Sequence, residues 1–291
     1  MAEAHRQRRV QGHWRHQRLR TVGVFDSGVG GLSVLRALQR EVPHTHWIYL
    51  SDSAFAPYGG RSNQEVIERS LRITAWLTQE HPLDALVVAC NTATAHAIDS
   101  LRDMFPALPI VGVEPALKTA AQTSLTGCIG VLATSGTLAS SRFATLRNKV
   151  ETSAAGSGLT FFCQPCPGLA DAIEQDDKTA IELLCRRFVT ALMNQVPVQK
   201  SLDSLVLGCT HYPFAIETLK QLCGPSVHLI DNATPIARRT ASLLGDAHTA
   251  QATAQHGCVS LCATGSIAAL KETCERWLPG LHQRATRQIP I

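Results

Sequence analysis

The sequence lacks the features of a membrane or secreted protein. No apolar run approaches the ~18 residues that a membrane-spanning helix needs, and the first twenty residues have no apolar core like that of a secretory signal peptide. Ten cysteines without such a signal indicate a reducing compartment rather than a disulfide framework. We therefore expect a globular, cytoplasmic protein that does not contact membranes.

Charge is scarce and unevenly spread. Charged residues make up 17% of the 291-residue chain, and the net charge is +4. Residues 1–20 alone carry six arginines and one glutamate, so the rest of the chain sums to −1. The basic balance belongs to this extension and does not predict a nucleic-acid-binding body. Its composition indicates disorder, with a contact to a polyanion or a membrane surface as the alternative.

Two common cofactor signatures are incomplete. Cys163 and Cys166 form a single CxxC pair, whereas a zinc site would need a second pair at suitable spacing. Glycines 28, 30 and 31 have GxGG spacing rather than the GxGxxG spacing of dinucleotide-binding loops. We favour a small-anion pocket at a helix N-terminus for this loop, with a simple strand-to-helix turn as the alternative.

What is present is an alternation of strands and helices. Short runs rich in β-branched or aromatic residues, such as 21–25 and 46–50, are followed by amphipathic segments, which predicts an α/β protein with parallel sheets. Two similar units predict two α/β lobes with the active site in the cleft between them. We assign 1–20 to a basic extension, 21–114 plus 225–291 to lobe 1, and 115–224 to lobe 2.

Two cysteines occupy matching positions in the two units. ALVVACNTA (85–93) and LVLGCTHYP (205–213) each run from an apolar strand into a cysteine and then an expected helix. Cys90 and Cys209 should therefore lie at the carboxyl ends of strands, where α/β sheets bind ligands. A thiol at a helix N-terminus has a lowered pKa, because the helix dipole favours the thiolate. Packing as small hydrophobes is the structural alternative, but the repeated pattern favours function.

Two thiols facing each other across a cleft suit proton transfer at a carbon atom. One thiolate removes a proton while the other thiol returns one to the opposite face, which inverts a stereocentre. The charge that develops beside a carboxylate needs fixed donors. Loop amides and the hydroxyls of Ser27, Thr92 and Thr210 can supply them.

At these residues the sequence resembles the cofactor-independent aspartate/glutamate racemase family, and within it the glutamate racemases of the proteobacterial branch. The motifs are FDSGVGGLSV, PYG, ACNTA, GVEPA, VLATSGT, LGCTHYP and IDNATPIARR, in order, over roughly residues 21–280. The resemblance implies interconversion of L- and D-glutamate for peptidoglycan synthesis, without pyridoxal phosphate or metal. Some enzymes of that branch are activated by UDP-N-acetylmuramoyl-L-alanine, which makes this compound a possible partner.

The resemblance also implies roles for individual residues. Cys90 and Cys209 would be the catalytic bases, with Asp26 and His211 assisting the two thiols. Glu174 matches a family glutamate eight residues after a Cys-Pro pair. Substrate contacts are implied for Asp26, Ser27, Tyr58, Gly59, Asn91, Thr92, Thr210 and His211.

Three other hypotheses stay open at the level of sequence. The first is a racemase of aspartate or another amino acid on the same scaffold. The second is a thiol-dependent hydrolase or redox protein that uses Cys209 with His211, or the Cys163–Cys166 pair. The third is a ligand-binding protein that kept the cleft without catalysis. Whether the chain is a monomer or a homodimer also stays open.

Overall fold

The computed structural model describes residues 19–153, 158–245, 257–281 and 283–291. Positions 1–18 of the basic extension therefore lie outside the described residues. None of the helices in the described ranges is both long and apolar enough to cross a bilayer.

The described strands all pair in parallel and form two sheets. They are β1 (Arg20–Asp26), β2 (Thr45–Ser51), β3 (Ala85–Val88), β4 (Ile110–Gly112), β5 (Cys128–Ala133), β6 (Thr160–Pro165), β7 (Ser204–Gly208), β8 (His228–Ile230), β9 (Val259–Ala263) and β10 (Gln283–Gln288). One sheet has six strands in the order β10-β9-β2-β1-β3-β4, and the other has four in the order β6-β5-β7-β8. The predicted α/β class with two parallel-sheet lobes is confirmed. Lobe 1 denotes the six-stranded sheet with its helices, and lobe 2 the four-stranded sheet with its helices.

Helices connect the strands, as parallel pairing requires. They are α1 (Leu32–Glu41), α2 (Asn63–Glu80), α3 (Asn91–Met104), α4 (Leu117–Thr123), α5 (Ser135–Ala139), α6 (Ser141–Glu151), α7 (Leu169–Glu174), α8 (Lys178–Met193), α9 (Ile216–Cys223), α10 (Ala233–Leu244) and α11 (Ile267–Trp277). Local sequence fixes several starts. The side chain of Ser62 accepts the N–H of Glu65, and the Glu65 carboxylate accepts the N–H of Ser62, so a capping box begins α2.

Apolar side chains cover both faces of each sheet. On β1, Val22 and Val24 pack into one apolar cluster, whereas Phe25 packs into another on the opposite face. Burial on both faces explains why the central strands read as continuous apolar runs. Polar groups are consequently concentrated where strands end, and this places the candidate site.

The boundary between the lobes differs from the predicted one. A division near residue 224 would assign β8 to lobe 1, but Leu229 and Ile230 pair with Leu205 and Val206 of β7 in the second sheet. The chain returns to lobe 1 after Ile230, through α10, which packs against α1. The short apolar run of β8 carries no signal of which sheet it joins, because either sheet offers an open edge.

Polar contacts join the two lobes beside the cleft. The hydroxyl of Ser33 donates to the carbonyl of Thr210 at 2.9 Å. Arg142 of α6 binds both carboxylate oxygens of Asp99 on α3, at 2.5 and 2.6 Å. These contacts connect lobe 1 to lobe 2.

Candidate active site

A cavity of about 270 Å³ lies between the carboxyl ends of the two sheets. Ten of the eleven predicted site residues line it: Ser27, Tyr58, Gly59, Cys90, Asn91, Thr92, Glu174, Cys209, Thr210 and His211. The eleventh, Asp26, is fully buried behind Ser27. Lobe 1 contributes Cys90 and lobe 2 contributes Cys209. The fold thus brings together two cysteines that lie more than a hundred residues apart in the sequence.

Cys90 caps the N-terminus of α3, where its Sγ accepts the N–H of Ala93 at 3.5 Å. Its thiol points to Oγ of Ser27 at 3.6 Å, and Ser27 in turn donates to Asp26 at 3.4 Å. Burial raises the pKa of Cys90, and the nearby charge of Asp26 raises it further. The prediction of a lowered pKa is therefore wrong for Cys90, because burial outweighs the helix N-terminus.

Asp26 is the charged group behind Cys90. Burial raises the pKa of this carboxyl from 3.8 to about 6, against the opposing charge of His211 and a hydrogen bond from the Gly31 amide. The Gly31 N–H lies 2.6 Å from Oδ2. Asp26 can therefore change its protonation state near neutral pH, as an acid/base relay requires.

Cys209 faces a histidine and a glutamate. Its Sγ lies 3.8 Å from Nδ1 of His211, whose Nε2 lies 2.7 Å from Oε2 of Glu174. Burial lowers the pKa of His211, but hydrogen bonds to Cys209 and Glu174, with the charges of both, outweigh burial and raise it well above its ordinary value. Burial alone would raise the pKa of Glu174, yet bonding to His211 holds it below the ordinary value. We conclude that His211 and Glu174 form an imidazolium–carboxylate pair beside the Cys209 thiol.

The glycine-rich loop of lobe 1 is shaped by this pair. A Cβ atom on Gly28 would lie 2.2 Å from Oε2 of Glu174, and one on Gly30 would lie 2.3 Å from Nδ1 of His211. The amide of Val29 donates to Glu174 at 2.8 Å. The predicted small-anion pocket is therefore occupied by the carboxylates of the protein itself, Glu174 and Asp26. This role could not be read from the GxGG spacing, because Glu174 lies far away in sequence.

Several predicted substrate-contacting residues already have protein partners. The Tyr58 hydroxyl donates to Asp52 at 2.6 Å, and the Asn91 amide donates to the carbonyl of Val113 at 3.3 Å. Thr92 Oγ1 lies 3.0 Å from Oγ1 of Thr134 across the cleft. The Tyr58 hydroxyl is therefore bonded within the protein, and the side chain is buried.

Three polar residues that no sequence pattern assigned to the site also line the cavity: Thr134, Ser135 and Asp171. Thr134 and Ser135 lie in the VLATSGT motif, which is the signal in the sequence that could have identified them. Burial raises the pKa of Asp171, and no motif marked this residue.

The CxxC pair does not act as a unit. Cys163 packs into an apolar cluster on one face of the second sheet, whereas Cys166 belongs to a cluster on the other face. Within the described residues, no group of three His, Cys, Asp or Glu side chains is arranged to hold a metal ion. The pair therefore gives no support to the redox hypothesis.

Most of the chain is similar in sequence to known proteins. The sequence profile of the family described as Asp/Glu/Hydantoin racemase matches residues 23–240. The chain is 43% identical over 227 residues to a glutamate racemase of Stutzerimonas stutzeri, covering 78% of this chain and 83% of that protein.

Solved structures resemble it as well. A glutamate racemase isoform from Bacillus anthracis has a TM-score of 0.79 at 30% identity, covering 94% of this chain and 98% of that one. A glutamate racemase from Escherichia coli, in complex with L-glutamate and the activator UDP-MurNAc-ala, has a TM-score of 0.75 at 31% identity. That match covers 93% of this chain and 98% of the E. coli chain.

Proposed function

The chain belongs to the Asp/Glu/hydantoin racemase family, and on that premise we propose that it interconverts L- and D-glutamate by proton transfer between two cysteines. The observation that carries the proposal is one cavity that takes Cys90 from lobe 1 and Cys209 from lobe 2. The names of its relatives and the L-glutamate in the E. coli complex support glutamate as the substrate. The reaction supplies D-glutamate for peptidoglycan synthesis.

We assign the chemistry to the two thiols as follows. One cysteine, as thiolate, removes the α-proton of glutamate from one face, and the other cysteine, as thiol, donates a proton to the opposite face. In the reverse direction the two exchange roles. The proton that leaves the carbon thus stays on the first sulfur, so both sulfurs must be able to exist in either protonation state.

The neighbours of each sulfur allow it to change its protonation state. His211 lies within reach of Cys209 and is held protonated by Glu174, so its positive charge stabilises a thiolate on Cys209. Cys90 has Ser27 and Asp26 instead. A substrate ammonium group in the cavity would bring positive charge close to Cys90, which offsets the effect of burial on its thiol.

Charge on the substrate also needs stabilisation as the α-proton leaves. The hydroxyls of Thr92, Thr134 and Ser27 line the cavity, and α3 directs its N-terminus toward it. Fixed donors of this kind stabilise a carboxylate that gains charge as the α-proton leaves. We propose that Ser27, Gly59, Asn91, Thr92 and Thr210 bind the substrate, together with the Tyr58 ring.

Two finer proposals concern partners and setting. The activator named in the E. coli complex suggests that UDP-N-acetylmuramoyl-L-alanine also activates this chain. Rates measured with and without that compound, for the full chain and for a chain without residues 1–20, would show whether activation occurs and whether the extension contributes.

We propose a cytoplasmic setting, where reducing conditions keep the cysteines free as they are in the structure. Light scattering would decide between monomer and homodimer.

The test of the function uses both enantiomers in deuterated water. Proton NMR would follow loss of the α-proton signal, and polarimetry would follow inversion. We expect exchange and inversion from L- and from D-glutamate, and much slower reaction with aspartate. A folded protein that exchanges neither enantiomer, with or without UDP-N-acetylmuramoyl-L-alanine, would refute the proposal, and a preference for aspartate would move the chain to a different racemase specificity.

A further inference from the structure

One wall of the cavity consists of a loop, residues 56–60, that follows strand β2. All five of its residues line the cavity. The loop also packs against the opposite lobe, since a Cβ on Gly59 would lie 3.2 Å from Cβ of Thr134. We call this loop the substrate wall. The position of the wall therefore helps to set the shape of the cavity.

A buried carboxylate lies directly behind the substrate wall. Asp52 is fully buried, and Arg69 of α2 is 4% exposed. Oδ2 of Asp52 accepts the Tyr58 hydroxyl at 2.6 Å and Nε of Arg69 at 2.7 Å. Oδ1 accepts Nη2 of Arg69 and the hydroxyl of Thr264, both at 2.7 Å. The carboxylate therefore has four donors and connects the substrate wall to α2 and to the loop after β9.

Contacts of Arg69, Arg61 and Asp52 also hold the segments that flank the substrate wall. The ring of Phe55 lies under the Arg69 guanidinium at 4.1 Å. Arg61 donates from Nε to the Phe55 carbonyl at 2.7 Å. The backbone N–H of Asp52 donates to the carbonyl of Asp26 at 2.9 Å. Asp52 is therefore tied both to the wall and to the residue behind Cys90, although neither Asp52 nor Arg69 lines the cavity.

From this arrangement we propose that Asp52, paired with Arg69, is a positioning residue that fixes the substrate wall through the Tyr58 hydroxyl. The inference rests on the proposed function for the identity of the substrate. Burial and the charge of Asp52 raise the pKa of Tyr58, which keeps its hydroxyl a donor. A bidentate, buried pair holds its geometry, so it fixes the position of the wall.

Substitution of Tyr58 tests its hydrogen bond to Asp52 with the smallest structural change. Tyr58→Phe removes one hydrogen bond to a charged group and leaves the ring in place. We expect KM for both enantiomers to rise about tenfold while kcat stays within about twofold. The wall binds substrate and transition state alike, so its loosening changes KM rather than kcat. Asp52→Asn should act in the same direction, and the double variant should be no worse than the more affected single variant.

The matched control is Glu80→Gln. Glu80 pairs with Arg287 at 2.7 Å on the exposed end of the same helix, α2, and lies outside the cavity. This variant also removes a carboxylate charge beside an arginine, but we expect its KM to equal that of the wild type. A rise in KM for Glu80→Gln equal to that of Tyr58→Phe would show that loss of stability, not positioning, is the cause.

A second readout does not depend on the substrate. Peptide mass spectrometry would follow alkylation of Cys90 by iodoacetamide, which we expect to be several-fold faster in Tyr58→Phe and Asp52→Asn than in Glu80→Gln. If Asp52→Asn fails to fold, because it leaves Arg69 without a countercharge, Tyr58→Phe decides alone. Unchanged KM and unchanged alkylation in folded Tyr58→Phe would overturn the proposal. Faster alkylation in a protein whose wild type does not racemise glutamate would keep the positioning role and refute the proposed function.

Discussion

Glu174 and Val29 lie in different lobes, and Oε2 of Glu174 accepts the backbone N–H of Val29 at 2.8 Å. The same oxygen lies 2.7 Å from Nε2 of His211. One carboxylate thus orients the imidazole beside Cys209 and binds the glycine-rich loop that carries Asp26 at its start. Glu174 thereby connects the imidazole beside Cys209 to the loop of the opposite lobe that carries Asp26.

Replacement of either cysteine should abolish inversion. We expect Cys90→Ser and Cys209→Ser each to lower kcat/KM about 10²- to 10⁴-fold from both enantiomers, because serine is too weakly acidic to replace the thiol. Polarimetry with L- and D-glutamate measures this. Cys223→Ser, which changes a half-buried cysteine outside the cavity, is the control and should keep wild-type rates. Full activity in either cavity variant would exclude the two-thiol mechanism.

Glu174→Gln should lower the pKa of His211, because it removes the negative charge that stabilises the imidazolium. We expect kcat/KM to fall about 10- to 100-fold and the alkaline limb of the pH–rate profile to move to lower pH. Glu182→Gln, which removes an exposed carboxylate paired with Arg186 on α8, should leave the profile unchanged. An alkaline limb that does not move would rule out His211 as the group responsible.

The same pair should make stability fall at alkaline pH. The pKa of His211 in the folded protein lies above its ordinary value of 6.5. Its contribution to the free energy of unfolding is therefore fully present below about pH 6.5 and is lost as pH rises through the raised folded pKa. Urea denaturation between pH 6 and pH 10 should show a steeper loss in the wild type than in Glu174→Gln. Parallel curves would contradict the pairing.

Asp26→Asn should remove a titration near pH 6. Because the pKa of Asp26 is raised from 3.8 to about 6, its contribution to stability is present below pH 3.8 and is lost as pH rises through about 6. This direction is opposite to that of a salt-bridged aspartate. We expect Asp26→Asn to lose that slope and to lack the acid limb of the activity profile. Asp103→Asn, an exposed substitution on α3, should keep both features.

Gly28→Ala should inactivate the protein with only moderate loss of stability. The added Cβ would meet the Glu174 carboxylate at 2.2 Å, so Glu174 must move away from His211. We expect kcat/KM to fall about 100-fold or more and the free energy of unfolding to fall by about 1–3 kcal/mol. Gly136→Ala is the control, because its Cβ would find its nearest neighbour at 3.4 Å. Comparable activity in the two variants would contradict the packing described for Gly28.

The sequence predicted the features that local pattern determines. Apolar runs identified the strands, and the position of each cysteine after its run placed Cys90 and Cys209 at strand ends. The resemblance then pointed to Asp26, His211 and Glu174, and the structure brings all three close to the thiols. The placement of the two cysteines at strand ends is confirmed, because it depends on a few consecutive residues, whereas the roles of the site residues stay predictions.

What the sequence did not predict depends on contacts between distant residues. Burial of Cys90 overrides its helix N-terminus, and burial is a property of the assembled core. The role proposed for Asp52 depends on the hydrogen bonds it accepts from Tyr58, Arg69 and Thr264, which are distant from one another in the sequence. The partner sheet of β8 is likewise decided by which edge is free, not by its three-residue sequence.

The two cysteines have unlike neighbours, a hydroxyl and a buried carboxyl for Cys90 and an imidazolium for Cys209. Mirror-image forms of glutamate have equal free energy in water, so their equilibrium constant is unity whatever the catalyst. The Haldane relation then requires kcat/KM to be the same in both directions, and the unlike neighbours can change only how kcat and KM are divided within that ratio. An asymmetric site can therefore saturate at different concentrations of the two enantiomers, while the net flow toward D-glutamate is set by the reactions that consume it.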